Sequence, residues 1–172
     1  MSPRPGGESD KLGNKFELAW AIRHALSCVL NDRCALIVED NDTEVGRGSE
    51  FTYNTGHFIE VHQVKRQNGN SNGWTVRELA DRKIFEVAAR HVVAGRHYRF
   101  VSLTPCRPLQ ELSERARQSE DLADFINHWL TGDLSAVFDQ VSAVEVLASP
   151  QAAWDTLRGM WFSVIDECEL IR

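Results

Sequence analysis

The sequence predicts an α/β fold, and three observations lead to this prediction. Short apolar or alternating runs typical of strands lie at 35–38, 51–53, 57–65 and 98–103. A helical pattern precedes the first run, and another separates the third run from the fourth. The 172 residues, 42% hydrophobic and 26% charged, are enough to bury a core without disulfides or metals. We therefore expect a mixed sheet flanked by helices.

The first helix is predicted from Lys15 to about Asn31. The helical spacing predicts one buried stripe along it, made of Leu18, Ile22, Ala25, Leu26 and Val29. The next three strands follow at short intervals, with turn-rich residues at 41–48, so we expect an antiparallel meander.

A second helix is predicted over 75–94. Thr75 and Glu78 have the spacing of a capping box, and Gly95 stands where a helix ends in a left-handed residue. This helix would cross over to the fourth strand. After Arg107 the pattern looks helical, with breaks near Ser119, Gly132 and Ser149-Pro150. These elements predict a leader at 1–13, a core at 14–106 and an acidic helical extension at 107–172, either packed on the core or leading into further domains.

Charge is divided unevenly along the chain. The net charge is −6, but residues 1–106 carry +1 and residues 107–172 carry −7. From Lys65 to Arg99 the sequence has eight basic residues and only three acidic ones. Such a local excess fits contact with a polyanion, although a solvated helix face with ion pairs explains it as well.

Cysteine usage and hydropathy bear on the compartment. The four cysteines are widely spaced and form no Cys-x-x-Cys pair, so we expect reduced thiols in the cytoplasm. No apolar run approaches the roughly 18 residues of a membrane span. The first residues do not have the pattern of a signal peptide.

The segment 59–65 carries the clearest chemical signal. Alternation places Gln63 and Lys65 on one face of a strand, about 6–7 Å apart. The nearby acids are Glu39, Asp40, Asp42 and, on the first helix, Glu17. Their oxygens would suit Mg²⁺ or Mn²⁺. On spacing alone, exposed acids beside a lysine at a strand end also explain the pattern.

The order of these elements resembles the PD-(D/E)XK nuclease superfamily. More narrowly, the chain resembles the N-terminal double-stranded DNA endonuclease domain of bacterial anti-phage effectors of the CBASS type. Four segments within 13–105 carry the resemblance: Gly13-Asn14-Lys15-Phe16-Glu17, Leu36-Ile37-Val38-Glu39, Asn41-Asp42-Thr43-Glu44-Val45 and Gln63-Val64-Lys65-Arg66. Gln63 stands where the wider superfamily has an acid, as is common in this subfamily.

The resemblance implies a restriction-endonuclease-like core that cuts double-stranded DNA with little sequence preference. By the resemblance, Asp42 and Gln63 would bind Mg²⁺ or Mn²⁺, with the Val64 carbonyl as a further ligand. Asp40 is the alternative to Asp42 as the lead acid. Lys65 would position the attacking water, and Glu17 and Glu39 would be auxiliary acids. The residues expected to contact DNA phosphates are Arg66, Arg77, Arg82 and Lys83.

The resemblance also implies a bacterial, cytoplasmic homo-oligomer whose native chain continues into sensor or oligomerisation domains. Two other interpretations of the sequence stay open: an inactive nuclease-like module that binds DNA or protein, and a helical regulatory domain of another kind. A zinc site of His24, Cys28 and Cys34 is conceivable, with helix packing as the alternative. The tryptophans of the C-terminal helices, Trp129, Trp154 and Trp161, are expected in the core or an interface.

Overall fold

The structure is a computed structural model that describes residues 6–38, 49–65 and 73–165. These residues form an α/β fold with a five-stranded mixed sheet flanked by helices. The strands are β1 (Ala35–Val38), β2 (Phe51–Asn54), β3 (Ile59–Lys65), β4 (His97–Ser102) and β5 (Met160–Val164). The helices are α1 (Gly6–Leu30), α2 (Val76–Asp81), α3 (Ile84–Val93), α4 (Arg107–Gln118), α5 (Leu122–Asp124), α6 (Asp133–Ser142) and α7 (Pro150–Gly159), with a π-helical turn (Phe125–Trp129) after α5 and a 3-10 turn (Glu145–Leu147) before α7.

The strands lie in the sheet in the order of the chain, β1-β2-β3-β4-β5. β1, β2 and β3 pair antiparallel, which confirms the predicted meander. β4 pairs parallel to β3, because α2 and α3 carry the chain back across the sheet. The carboxyl ends of β3 and β4 therefore lie side by side, with Lys65 opposite Ser102.

The predicted breaks near Ser119, Gly132 and Ser149-Pro150 are confirmed as helix ends, but the prediction that every element after Arg107 is a helix is wrong at β5. This strand follows α7 and pairs parallel with β4, so Trp161 belongs to a strand and not to a helix. Met160 and Phe162 belong to the same core as Leu112 of α4 and Leu157 of α7. The segment after Arg107 thus contributes both helices and an edge strand to the sheet.

The predicted helix over 75–94 is two helices. Its start is confirmed, since Thr75 and Glu78 form both hydrogen bonds of a capping box. The break between α2 and α3 lies at Lys83, whose φ of 60° is left-handed. Gly95 has a φ of 74° just after α3, as the sequence predicts.

Two hydrophobic cores lie on the two faces of the sheet. The larger one fills the space between the sheet and the helices from α2 to α7. The smaller one lies under α1, where Phe16, Trp20 and Ala21 pack on Phe51 and Val64. Within the described residues, no helix is both long and apolar enough to cross a membrane.

The stripe predicted to bury α1 faces away from the sheet. Leu18, Ile22, Leu26 and Val29 are exposed. The opposite side carries Phe16 and Trp20, and such aromatic side chains bury more surface than aliphatic ones. The aromatic side therefore packs on the sheet, and the prediction about the buried stripe is wrong.

Candidate functional site

The predicted site residues divide into those inside and those outside the described residues. Glu39, Asp40, Asp42 and Arg66 lie outside the described residues, so their predicted roles stay predictions. Glu17, Gln63, Val64, Lys65, Arg77, Arg82 and Lys83 lie inside.

β3 positions Gln63 and Lys65 on the sheet face that packs against α2 to α7. Val61 belongs to the larger core and Val64 to the smaller one, so alternation puts Gln63 and Lys65 on the side of Val61. Gln63 is buried, while Lys65 at the end of the strand is partly open to solvent. The structure thus places Gln63 and Lys65 on one face of β3, as the sequence predicts.

The acid beside Lys65 is Glu50, which the sequence analysis did not single out. Its Oε1 lies 2.5 Å from the Lys65 Nζ, and its Oε2 accepts a hydrogen bond from the Val64 backbone N–H at 2.9 Å. Glu50 lies just before β2, and its own N–H donates to the His62 carbonyl at 3.0 Å. His62 is also the residue that Phe51 pairs with, so the start of β2 holds Glu50 at the carboxyl end of β3.

A signal for Glu50 was present in the sequence. It precedes the strand that pairs with the Gln-Val-Lys strand, and the antiparallel meander was predicted correctly. The missing information was the register between the two strands, since one residue of slip moves every side chain to the other face.

The surroundings of Glu50 favour its protonated form more than water would. Burial raises the pKa of Glu50, and the charge of Glu17 adds to this rise. The Lys65 ammonium and the Val64 N–H act in the opposite direction, and the pKa remains above its ordinary value.

Tyr98 of β4 completes the group. Its hydroxyl donates a hydrogen bond to the Gln63 Oε1. Burial raises the pKa of Tyr98 well above its ordinary value, and the charge of Glu50 raises it further. We call Glu50, Gln63, Lys65 and Tyr98 the Glu50 cluster.

The donor set of the Glu50 cluster fits a hard divalent cation. A carboxylate has about four lone-pair sites, and an amide oxygen has two. The contacts with Lys65, Val64 and Tyr98 leave lone pairs on Glu50 and Gln63 for a ligand. Carboxylate and amide oxygens are ligands that Mg²⁺ and Mn²⁺ accept.

The predicted basic surface begins at the same end of the sheet. The Trp74 Nε1 donates to the Ser102 Oγ at 2.6 Å, and Ser102 pairs with Lys65 across the β3–β4 ladder. Trp74 thus anchors the start of α2 beside the carboxyl end of β3. Arg77 in the first turn of α2 is exposed, and the Arg82 guanidinium lies 5.1 Å from the centre of the Trp74 ring. Lys83 follows at the break between the helices.

A second polar cluster lies under α1, on the other face of the sheet. The Trp20 Nε1 donates to the His62 Nδ1 at 3.1 Å, and the His62 Nε2 lies 3.1 Å from the Glu60 Oε2. Arg99 forms two hydrogen bonds with the Glu60 carboxylate, the shorter at 2.7 Å. His24 packs beside this chain of contacts, with its ring centroid 4.6 Å from that of His62.

The pKa shifts of this cluster follow from burial and pairing. Burial raises the pKa of Glu60, but the hydrogen bonds and charges of His62 and Arg99 outweigh it and lower that pKa to about 2. Burial lowers the pKa of His62 to about 4, although the hydrogen bond and charge of Glu60 act to raise it. The cluster therefore holds a neutral imidazole beside a carboxylate that is paired with Arg99.

The ligating atoms of His24, Glu60 and His62 lie within 4.8 Å of one another, and the described residues hold no other such group of three or more His, Cys, Asp or Glu ligands. The position of the His62 ring proton argues against a metal ion at this group. Tryptophan only donates, so the His62 Nδ1 must accept, and the ring proton sits on Nε2 facing Glu60. A cation would have to displace that proton and share Glu60 with the Arg99 guanidinium.

The zinc site considered for His24, Cys28 and Cys34 is not assembled. His24 turns toward His62, and the Cys34 thiol instead accepts a hydrogen bond from the Tyr53 hydroxyl at 3.4 Å. Cys28, Cys34 and Cys106 are free thiols. Trp154 lies in the larger core, as expected, whereas Trp161 is half-buried with the Arg117 guanidinium 4.0 Å from its ring centre.

The chain was compared with family models, with curated proteins and with solved structures. None of the three comparisons finds a match for this chain. A function therefore has to be inferred from the two clusters and the surfaces around them.

Proposed function

We propose that this chain is a metal-dependent endonuclease domain that hydrolyses phosphodiester bonds of double-stranded DNA, with a restriction-endonuclease-like core. The observation that carries the proposal is the contact between Glu50 and Lys65 beside Gln63, at the junction of an antiparallel and a parallel strand pair. An acid on the strand opposite the Gln-Val-Lys strand is the arrangement that the resemblance implies. In this proposal Glu50 is the acid beside Lys65, and the roles of Asp42 and Asp40 stay predictions.

Each residue of the Glu50 cluster has a role in this proposal. Glu50 and Gln63 would hold Mg²⁺ or Mn²⁺, which when bound lowers the pKa of water and neutralises phosphate charge. Lys65 would hold the attacking water and a phosphate oxygen through its ammonium hydrogens. Tyr98 fixes the orientation of the Gln63 amide, since its hydroxyl binds the amide oxygen. Glu17 would add negative charge beside Glu50 and so favour a cation.

The basic side chains near α2 would contact DNA phosphates. Arg77 belongs to α2, which starts beside the carboxyl end of β3, and Arg82 and Lys83 follow directly after this helix. Such contacts supply affinity and position without sequence information, which fits cleavage with little sequence preference.

A cleavage assay tests the proposal. Linear and supercoiled double-stranded DNA are incubated with the protein and Mg²⁺ or Mn²⁺, comparing wild type with Lys65→Ala and Glu50→Gln. Glu111→Gln is the matched control, because Glu111 forms an exposed ion pair with Arg115 far from the cluster in sequence. Near-ultraviolet circular dichroism checks that each variant is folded. We expect metal-dependent cutting by wild type and the control, and its loss in both cluster variants.

A calorimetric metal titration decides what a negative assay means. Binding of Mg²⁺ or Mn²⁺ that disappears in Glu50→Gln, without any cutting, would indicate a nuclease domain that awaits a trigger, because an inactive module has no need of a metal site. Absence of both cutting and metal binding would refute the proposal. Cutting that persists in a folded Lys65→Ala variant would refute the assigned role of Lys65.

A further inference from the structure

Helix α1 is apolar on two opposite sides, and the sheet covers only one of them. Phe16 and Trp20 pack on the sheet. On the other side, Leu18, Ile22, Leu26 and Val29 are 60%, 49%, 59% and 81% exposed. A helix that is apolar all round is normally buried all round. No part of the described chain supplies a cover for this second side.

We propose that this outer side is the contact surface of a two-fold symmetric homodimer, in which α1 of one copy packs antiparallel on α1 of a second copy. The outer stripe is defined as Leu18, Ile22, Ala25 and Val29. Its spacing of four, three and four residues is that of the seam of a two-helix coiled coil. Leu26 lies beside the seam. This proposal does not depend on the nuclease activity.

The stripe is complementary to itself in the antiparallel direction. If the two helices cross midway between Ile22 and Ala25, Leu18 lies against Val29 of the second copy. Ile22 then lies against Ala25 of the second copy, so that a large side chain faces a small one. The four stripe residues are all uncharged, and a copy of the chain can therefore cover them without burying a charge.

Charges at the two ends of the stripe select this orientation. Lys15 stands three residues before Leu18, and Asp32 stands three residues after Val29. Both are exposed. Asp32 lies in the turn just after α1 ends at Leu30, so the antiparallel arrangement brings Lys15 near Asp32 of the second copy at both ends. A parallel arrangement would bring Lys15 against Lys15 of the second copy, which is unfavourable.

The size of the stripe predicts a reversible dimer. The exposed side chains form an apolar patch on the order of 400 Å² per copy, a size at which surface patches are often functional. A standard stable interface buries roughly 800 Å² per partner, so the remainder would come from the flanking polar side chains. We therefore expect a dimer that dissociates on dilution.

Sedimentation equilibrium of the full chain over a concentration series tests the proposal. We expect the mass to rise from 19.5 kDa toward twice that value as concentration increases. Ile22→Asp places a charge at the centre of the stripe and should leave a monomer throughout. The matched control is Val93→Asp, which places the same charge on an exposed valine of α3 and should leave the dimer intact. Far-ultraviolet circular dichroism confirms that both variants are folded.

A charge exchange tests the register. Lys15→Asp alone puts two acids together at each end, and Asp32→Lys alone puts two lysines together. Each should weaken the dimer about tenfold, since surface pairs contribute modestly and two pairs turn repulsive. An equal mixture of the two variants should dimerise again, because the acid introduced into one copy then meets the lysine introduced into the other.

Three results would overturn the proposal. A wild-type chain that stays monomeric at every concentration would mean that this side of α1 belongs to another partner. A dimer that survives Ile22→Asp would place the contact elsewhere, for example at the edge strand β1. Failure of the mixed charge variants to recover dimerisation would refute the antiparallel register.

Discussion

The structure predicts that the buried histidine His91 lowers the stability of the fold. It is 1% exposed on α3, and its Nδ1 lies 3.5 Å from an Arg96 Nη1, which can only donate. The proton of the neutral ring therefore sits on Nε2. That atom is buried without a hydrogen-bond partner among the described residues. Replacing His91 with leucine removes the orphan N–H group and keeps a side chain of similar volume.

The expected gain depends on pH in a definite direction. A buried unsatisfied polar group costs about 1–3 kcal/mol, so His91→Leu should raise the free energy of unfolding by roughly 1–2 kcal/mol at pH 7. Burial, with the charges of Arg96 and Arg90, lowers the pKa of His91 to about 4. In the unfolded chain the histidine pKa is about 6.5. Between about pH 6.5 and pH 4 the unfolded chain therefore binds a proton on this histidine, whereas the folded chain does not. Stability is therefore lost as pH falls from about 6.5 toward about 4.

Between pH 7 and pH 5 this loss amounts to about 2 kcal/mol for one histidine with these pKa values. His91→Leu removes the loss, so its advantage over wild type should be about 2 kcal/mol larger at pH 5 than at pH 7. Urea unfolding followed by tryptophan fluorescence at both pH values measures the two differences. A variant that is less stable than wild type at pH 7, or whose stability falls equally between the two pH values, would refute the reasoning.

Three further predictions follow from backbone geometry, packing and the Trp20–His62 contact. Ala148 has a left-handed φ of 55°, so Ala148→Gly should raise the free energy of unfolding by about 0.5–1 kcal/mol in urea titrations, and a loss would contradict this. A Cβ at Gly159 would clash with a Val92 methyl, so Gly159→Ala should cost about 1–3 kcal/mol in thermal unfolding. Adding Val92→Ala should recover part of that cost, and no recovery would exclude this clash as its cause. Trp20→Phe removes the donor that holds the His62 Nδ1, so the pKa of His62 should rise from about 4 in an NMR titration, whereas an unchanged value would show that the hydrogen bond has no influence.

Local patterns in the sequence determine much of the fold. The apolar run at β1 and the alternation along β3 require only neighbouring residues to be recognised, and both strands are confirmed. The capping box of Thr75 and Glu78 is likewise local, since its two hydrogen bonds join residues three apart. The placement of Gln63 and Lys65 on one face follows from the pleat of a single strand.

Tertiary structure decided which side of helix α1 is buried and whether the residues after α7 form a strand. Helix α1 offers an aliphatic and an aromatic side at the same period, and only packing against the sheet selects the side of Trp20. β5 is a strand because the free edge of β4 satisfies its backbone, which no local pattern around Trp161 reveals.

The candidate site depends on both kinds of information. The sequence by itself determined the Gln63-Val64-Lys65 strand and the charge of the helix that follows it. Only the pairing of β2 with β3 decided that Glu50 stands beside Lys65, because the two residues are 15 apart in the chain and meet only when the strands pair. Side-chain chemistry could thus be predicted from the sequence, while the choice of acid required the pairing of two strands.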